Sequence, residues 1–185
     1  MRVIGGALRG RRLAAPEGLA TRPTSDRARQ TLFDVLMHAP WGGRALLEGA
    51  RVLDAFAGTG ALAIEALSRG AAEAVLFETE PQAIAAIRRN IAACGLVSRA
   101  RIVRVDATRP PAADRPAVLV FLDPPYGEGL VARAAVALAA AGWIASGTVL
   151  AVETAAEEAV ELAGFARLDD RRVGRARLRV LRAEG

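Results

Sequence analysis

Lysine is missing from this 185-residue chain, and all 25 of its basic residues are arginine. Codon bias in a GC-rich genome accounts for that exchange. Cysteine and histidine are nearly missing too, with Cys94 and His38 one of each. A single cysteine forbids an internal disulfide, no Cys/His cluster exists to hold zinc, and a His-based nucleophilic triad is not expected. No stretch of about 18 apolar residues is free of charge, which excludes a membrane-spanning helix. Met1-Arg2-Val3-Ile4-Gly5-Gly6 has none of the apolar run of a secretion signal. These absences describe a cytoplasmic protein of a reducing compartment, with neither membrane nor metal as partner.

What is present is a core. The chain is 52% hydrophobic and 24% charged, with a mean hydropathy of +0.24, a balance that excludes intrinsic disorder. The length fits one domain over residues 1–185, with a basic arm and helix at 1–45 and an α/β core at 51–185. The net charge of +5 is unevenly placed. Residues 1–29 hold seven Arg against two acids and residues 165–185 seven Arg against three, whereas the middle holds eleven Arg against fifteen acids. Codon bias does not segregate sign in this way. A basic head and tail around an acidic middle point to a polyanion gripped from the ends.

Residues 2–14 read as a short hairpin or arm. Thr24 or Ser25 caps an amphipathic helix running to about residue 39, with Ala28, Leu32, Val35 and Leu36 on one face, and Pro40-Trp41-Gly42-Gly43 stops it. From residue 51 strands alternate with helices: strands at 51–55, 74–77, 101–105, 118–122 and 148–152, helices at 58–69, 81–94 and 129–141. Near-continuous apolar strands separated by helices predict a parallel sheet covered on both faces. Segments 165–172 and 175–182, joined near Gly174, read instead as an antiparallel hairpin at the sheet edge. There, in Arg175-Ala176-Arg177-Leu178-Arg179-Val180, alternation predicts one buried face and one basic face. The expected fold is therefore Rossmann-like α/β, a mostly parallel seven-stranded sheet with a C-terminal antiparallel hairpin and a short N-terminal arm.

In open α/β sheets ligands sit beyond the carboxyl ends of the strands. Four successive strand ends here carry Asp54, Glu78, Asp106 and Asp123, at spacings of 24, 28 and 17 residues, each about one βα unit. After Asp54 comes Ala55-Phe56-Ala57-Gly58-Thr59-Gly60, whose glycines allow a sharp turn and close approach of a ligand. Gly58 to Ala63 also satisfies G-x-G-x-x-A, a weak dinucleotide fingerprint. Charge separates the readings. A pyrophosphate at that helix start sits poorly beside Asp54, whereas S-adenosylmethionine (SAM) brings a sulfonium and an amino group that favour a carboxylate. Glu78 suits a ribose diol in either case. Asp106 either accepts from an adenine amino group or simply makes a turn.

The segment Asp123-Pro124-Pro125-Tyr126-Gly127 follows the most apolar strand. Two prolines remove two donors and leave carbonyl acceptors, Asp123 adds a carboxylate, and Tyr126 a flat ring. Acceptors beside an aromatic platform suit the exocyclic amine of a planar base, whose lone pair is delocalised until its N–H groups are held.

Taken together, Asp54 to Gly60 and Asp123-Pro124-Pro125-Tyr126 resemble the class I SAM-dependent amino-methyltransferases. Arg2-Val3-Ile4-Gly5-Gly6, Arg9-Gly10-Arg11, Arg22-Pro23-Thr24 and Arg27 to Phe33 narrow the match to the RsmD family of bacterial 16S rRNA guanine-N2 methyltransferases. The resemblance spans essentially the whole chain. It implies SAM contacts at Asp54, Phe56, Ala57, Gly58, Gly60, Glu78, Asp106 and Asp123, and target-base contacts at Asp123, Pro124, Pro125 and Tyr126. Arg9, Arg11, Arg12, Arg22 and Arg27 of the arm and first helix, with Arg175 and Arg177 of the hairpin, are expected to hold phosphates. The implied partner is 16S rRNA in the small ribosomal subunit or its assembly intermediate, and the implied enzyme a monomer. A DNA adenine-N6 methyltransferase shares the Asp-Pro-Pro-Tyr chemistry, and a non-catalytic RNA-binding module with a vestigial SAM fold is the rival from another class.

Overall fold

The computed structural model describes residues 1–15 and 26–185. In chain order these form α1 (Asp26–His38), α2 (Arg44–Leu47), β1 (Arg51–Asp54), α3 (Ala61–Ser68), β2 (Glu73–Glu78), α4 (Pro81–Ala93), β3 (Ala100–Arg104), β4 (Leu119–Leu122), α5 (Leu130–Ala140), β5 (Val149–Ala155), β6 (Phe165–Val173) and β7 (Ala176–Ala183). The seven strands make one sheet in the order β3-β2-β1-β4-β5-β7-β6. β3 to β5 run parallel, and β7 is antiparallel to both β5 and β6. The order turns back at β1, which has β2 on one side and β4 on the other, so the ligand crevice opens above these strands.

Side-chain alternation divides the core between the two faces of the sheet. Val52, Leu76, Leu119 and Phe121 pack with Phe33 and Leu36 of α1, Ile64 of α3 and Ile87 of α4. On the other face Leu53, Phe77, Val120 and Leu122 pack with Val131, Ala134 and Leu138 of α5 and with Trp143. Trp143 anchors that layer, edge-on to Phe77 at 5.1 Å with its indole N–H donating to the Pro111 carbonyl at 2.8 Å.

The arm is fastened to α3, whose eight residues are all buried. It folds back on itself through an Arg2–Arg12 bridge and a short 3-10 turn at Gly6–Leu8. Glu65 of α3, 1% exposed, takes the Ile4 and Gly5 amides at 2.8 and 2.7 Å and pairs with Arg69 at 2.8 Å. Gly6 has φ +73°, and a Cβ there would meet the Ser68 carbonyl oxygen at 2.0 Å. Only glycine allows so close an approach. Glu65→Ala is therefore expected to cost about 3 kcal/mol of unfolding free energy, since it orphans two amides and leaves the largely buried Arg69 guanidinium without its carboxylate. Denaturant titration checks this, and a loss under about 1 kcal/mol would mean that the arm is not held through Glu65.

Several expectations shift. The anticipated cap at Thr24 or Ser25 lies outside the described residues. α2 was hidden because four residues show no periodicity. α3 starts at Ala61 and not Gly58, because Gly58 and Gly60 take φ +52° and +77° and stay in the loop. β5 runs on to Ala155 because β7 pairs with it along its full length. The hairpin's basic face also needs correcting. Arg179 is buried, donating to the Thr154 hydroxyl at 2.8 Å and the Glu158 carbonyl at 2.6 Å. Arg177 forks onto Asp170 at 2.6 and 3.0 Å.

Candidate active site

The carboxyl edge of the parallel strands carries a row of acids. From β3 to β5 it reads Asp106, Glu78, Asp54, Asp123 and Glu153, each within two residues of the carboxyl end of its strand. Glu153 was not read from the sequence. A signal for it existed, because it follows Asp123 by 30 residues and extends the acid-per-unit spacing to a fifth strand.

Glu78 organises the glycine turn. One carboxylate oxygen accepts the Gly58 amide at 2.8 Å, and the other accepts the Thr79 and Glu80 amides at 2.7 and 3.0 Å. Asp54 is 1% exposed. Its Oδ2 accepts the Ala63 amide in the first turn of α3 at 3.2 Å, whereas its Oδ1 has no hydrogen-bond partner among the described residues. Burial pushes its pKa up to about 7, with the Asp123 and Glu78 charges adding to the rise and the Ala63 and Phe56 amides opposing it. Phe56, Ala57, Gly58 and Gly60 form the loop above Asp54, closed by the Gly60 amide on the Ala57 carbonyl at 2.6 Å.

Beyond β4, Asp123 is half-buried, Pro124 buried, and Pro125 and Tyr126 exposed. The Tyr126 hydroxyl donates to Glu153 Oε1 at 2.9 Å. Glu153 Oε2 is buried with no partner among the described residues, and burial followed by the neighbouring Asp123 charge raises its pKa. Asp106 is exposed, and one of its oxygens accepts both the amide and the hydroxyl of Thr108 at 2.8 Å. Those bonds hold its pKa below the usual carboxylate value, so Asp106 builds the turn after β3.

This chemistry answers the choice of ligand left open by the glycine turn. Among the described residues no arginine pairs with Asp54, Glu78 or Glu153. A pyrophosphate would add charge of the same sign to a partly desolvated acidic crevice. A cation would supply the partner that Asp54 Oδ1 lacks. The residues fit a sulfonium-bearing, amino-bearing ligand.

The residues expected to hold phosphates sit on other segments. Arg9, Arg11 and Arg12 are exposed on the arm and line an open groove of about 660 Å³ with Ala93 at the end of α4. Arg27 is exposed at the start of α1, and Arg175 is exposed at the hairpin turn. Arg22 lies outside the described residues. Cys94 is buried, and no helix among the described residues is long and apolar enough to cross a membrane.

A parallel sheet closed by an antiparallel hairpin, with acids along its carboxyl edge and a diproline loop beside them, defines a methyltransferase of the class I fold. The chain matches the family model described as "Conserved hypothetical protein 95" over residues 1–182, and it belongs to that family. It is 39% identical over 158 residues to "Ribosomal RNA small subunit methyltransferase D" of Escherichia coli strain K12, covering 85% of this chain and 76% of that protein. The solved structure of yhhF from Escherichia coli superposes with a TM-score of 0.83 at 34% identity, covering 100% of this chain and 98% of that one. An RNA methyltransferase from Salinibacter ruber, solved in complex with S-adenosyl-L-homocysteine, shares the fold at a TM-score of 0.67 and 15% identity, over 88% and 94% of the two chains.

Proposed function

We propose that the chain transfers the methyl group of SAM to the exocyclic N2 amine of a guanine in small-subunit ribosomal RNA. The observation that carries this reading is the buried, half-satisfied Asp54 carboxylate, set one strand from the diproline loop. When bound, the cofactor supplies an electrophilic methyl group on a positively charged sulfur. Asp54 would hold its cationic amino-acid end and Glu78 its ribose hydroxyls, while Gly58 and Gly60 let it lie close to the backbone. Asp106 would keep an oxygen for the adenine amine.

On the acceptor side, Asp123 and the Pro124 carbonyl would take the two N–H groups of the guanine amine and localise its lone pair toward the methyl donor. Tyr126 gives the base a stacking platform, worth about 1–3 kcal/mol. No base need act before the attack, because the methylated nitrogen is briefly cationic, and Asp123 is the nearest acceptor for its proton. Alignment carries most of the acceleration, up to about 7–11 kcal/mol in near-ideal geometry. The guanine must be unpaired or flipped, at a cost of a few kcal/mol.

Arg9, Arg11, Arg12, Arg22, Arg27 and Arg175 would grip phosphates around the target, with Arg177 contributing if it exchanges Asp170 for RNA. With about six phosphate contacts, affinity for small subunits is expected to fall roughly 10³-fold between 50 and 200 mM salt. Binding that is flat across that range would remove the arm from the account. The enzyme is read as a cytoplasmic monomer acting on the subunit or its assembly intermediate. Incubation with SAM and either unmodified small subunits or duplex DNA tests the substrate. Methylation of the subunits supports the reading, and methylation of duplex DNA in their place overturns it.

A further inference from the structure

Asn90 sits in the last turn of α4 and is 2% exposed. Its side-chain amide spans two segments that lie far apart in sequence. Nδ2 donates to the Thr59 carbonyl at 2.9 Å and to the Ala14 carbonyl at 3.0 Å, while Oδ1 accepts the Ala14 amide at 2.7 Å. Thr59 is the central residue of the glycine turn, between Gly58 and Gly60. Ala14 lies near the end of the described part of the arm, two residues beyond Arg12. The Thr59 hydroxyl also reaches the Met1 sulfur at 3.9 Å, a second contact between turn and arm.

The glycine turn is thus gripped from two sides. Glu78 of β2 holds it through the Gly58 amide, and Asn90 of α4 holds it through the Thr59 carbonyl. The chemistry of the second grip is narrow. Aspartate has no donors for the two carbonyls and would set a charge against them, and alanine takes away the partner of two carbonyls and an amide. Because one amide plane serves both segments, a shift of the turn displaces the arm, and a shift of the arm displaces the turn.

We propose that Asn90 is a positioning residue that links the methyl-donor seat to the arginine-bearing arm, so that SAM and RNA each tighten the binding of the other. The proposal rests on the functional reading above. SAM settles the glycine turn, the turn holds Asn90, and Asn90 holds the arm in the docked position that presents Arg9, Arg11 and Arg12. By linkage the effect is reciprocal, and the two enhancement factors must be equal.

Two measurements on the full chain test this. The first is titration calorimetry of SAM, with and without deproteinised small-subunit rRNA, on the wild type, Asn90→Asp and Asn90→Ala. Both variants should raise the SAM dissociation constant about tenfold or more, equivalent to a lost buried hydrogen bond. The several-fold tightening of SAM by the RNA should vanish in them. Leu138→Ala, which weakens the core between α5 and the other face of the sheet, should leave both quantities within twofold and so separates positioning from general loss of stability. The second needs no variant: SAM should slow hydrogen exchange of the Ala14 amide in the wild type at least about fivefold. A dissociation constant for Asn90→Asp within twofold of the wild type overturns the proposal, and so does an Ala14 exchange rate indifferent to SAM. A wild-type chain that takes up no SAM overturns the cofactor reading, and the link with it.

Discussion

Asp123→Ala is expected to lower methyl transfer to small subunits by about 10²–10³-fold or more, the usual effect of deleting a group that acts on charge developing in the transition state. The carboxylate has two tasks in this account, holding an amine N–H during attack and standing nearest to the proton released afterwards. Asp123→Asn should fail almost as badly, because it keeps the shape but can turn a donor toward a donor. SAM binding should survive in both variants within about tenfold, since Asp54 and Glu78 hold the opposite side of the crevice. Single-turnover methylation beside calorimetry separates the two effects. Activity retained within threefold in Asp123→Ala would end the catalytic assignment of the diproline loop.

The second large effect is a reversal of sign with pH. Asp54 has an ordinary pKa of 3.8 that burial pushes up to about 7 in the fold. Between about pH 4 and 7 the unfolded chain therefore gives up this proton while the folded chain keeps it, and the stability of the ligand-free protein falls as pH rises. Glu153, raised from 4.5 to about 7 by burial and by Asp123, adds a trend of the same sign. A cationic ligand reverses the balance, because it binds the ionised carboxylate. The rise in melting temperature caused by SAM should therefore be larger at pH 8 than at pH 5.5. Asp54→Asn should melt higher than the wild type at pH 8 without ligand, and bind SAM about 100-fold more weakly there. Thermal melts at the two pH values, with and without SAM, read all of this. A SAM-induced rise that is larger at pH 5.5 would mean that Asp54 does not face the cation.

The contrast between Asp54 and Asp106 shows how far strand-end acids can be read. Apolar runs separated by helices predicted the parallel strands, and the acids at their ends located the crevice, because period and position are properties of the local chain. Which of two strand-end carboxylates is buried depends on what stands above it. Asp54 lies under the glycine loop, whereas Asp106 is exposed and gives one oxygen to the Thr108 turn. Glu153 directly follows the expected end of strand β5 at residue 152, as Asp123 follows 122, so its place was legible, whereas the further course of the strand was not. Its continuation is imposed by antiparallel pairing with β7, a partner that arrives late in the chain.

The hairpin arginines show the same limit. Alternation correctly separated the two faces of β7, but the charge of a face depends on the strand beside it. Arg179 lies opposite Asp170 in the β6–β7 register, and Arg177 reaches the same carboxylate. Asn90 was not legible at all, because an asparagine in an amphipathic helix ordinarily reads as a solvated position. Its role depends on two segments, one 76 and one 31 residues away, converging on a single amide.

The atom that receives the methyl group defines the reaction. Unmodified small subunits treated with the enzyme and methyl-labelled SAM, then digested to nucleosides, should yield label in N2-methylguanosine and in no other nucleoside. Label on adenine N6, or particles that stay unlabelled while the protein binds SAM, would contradict it.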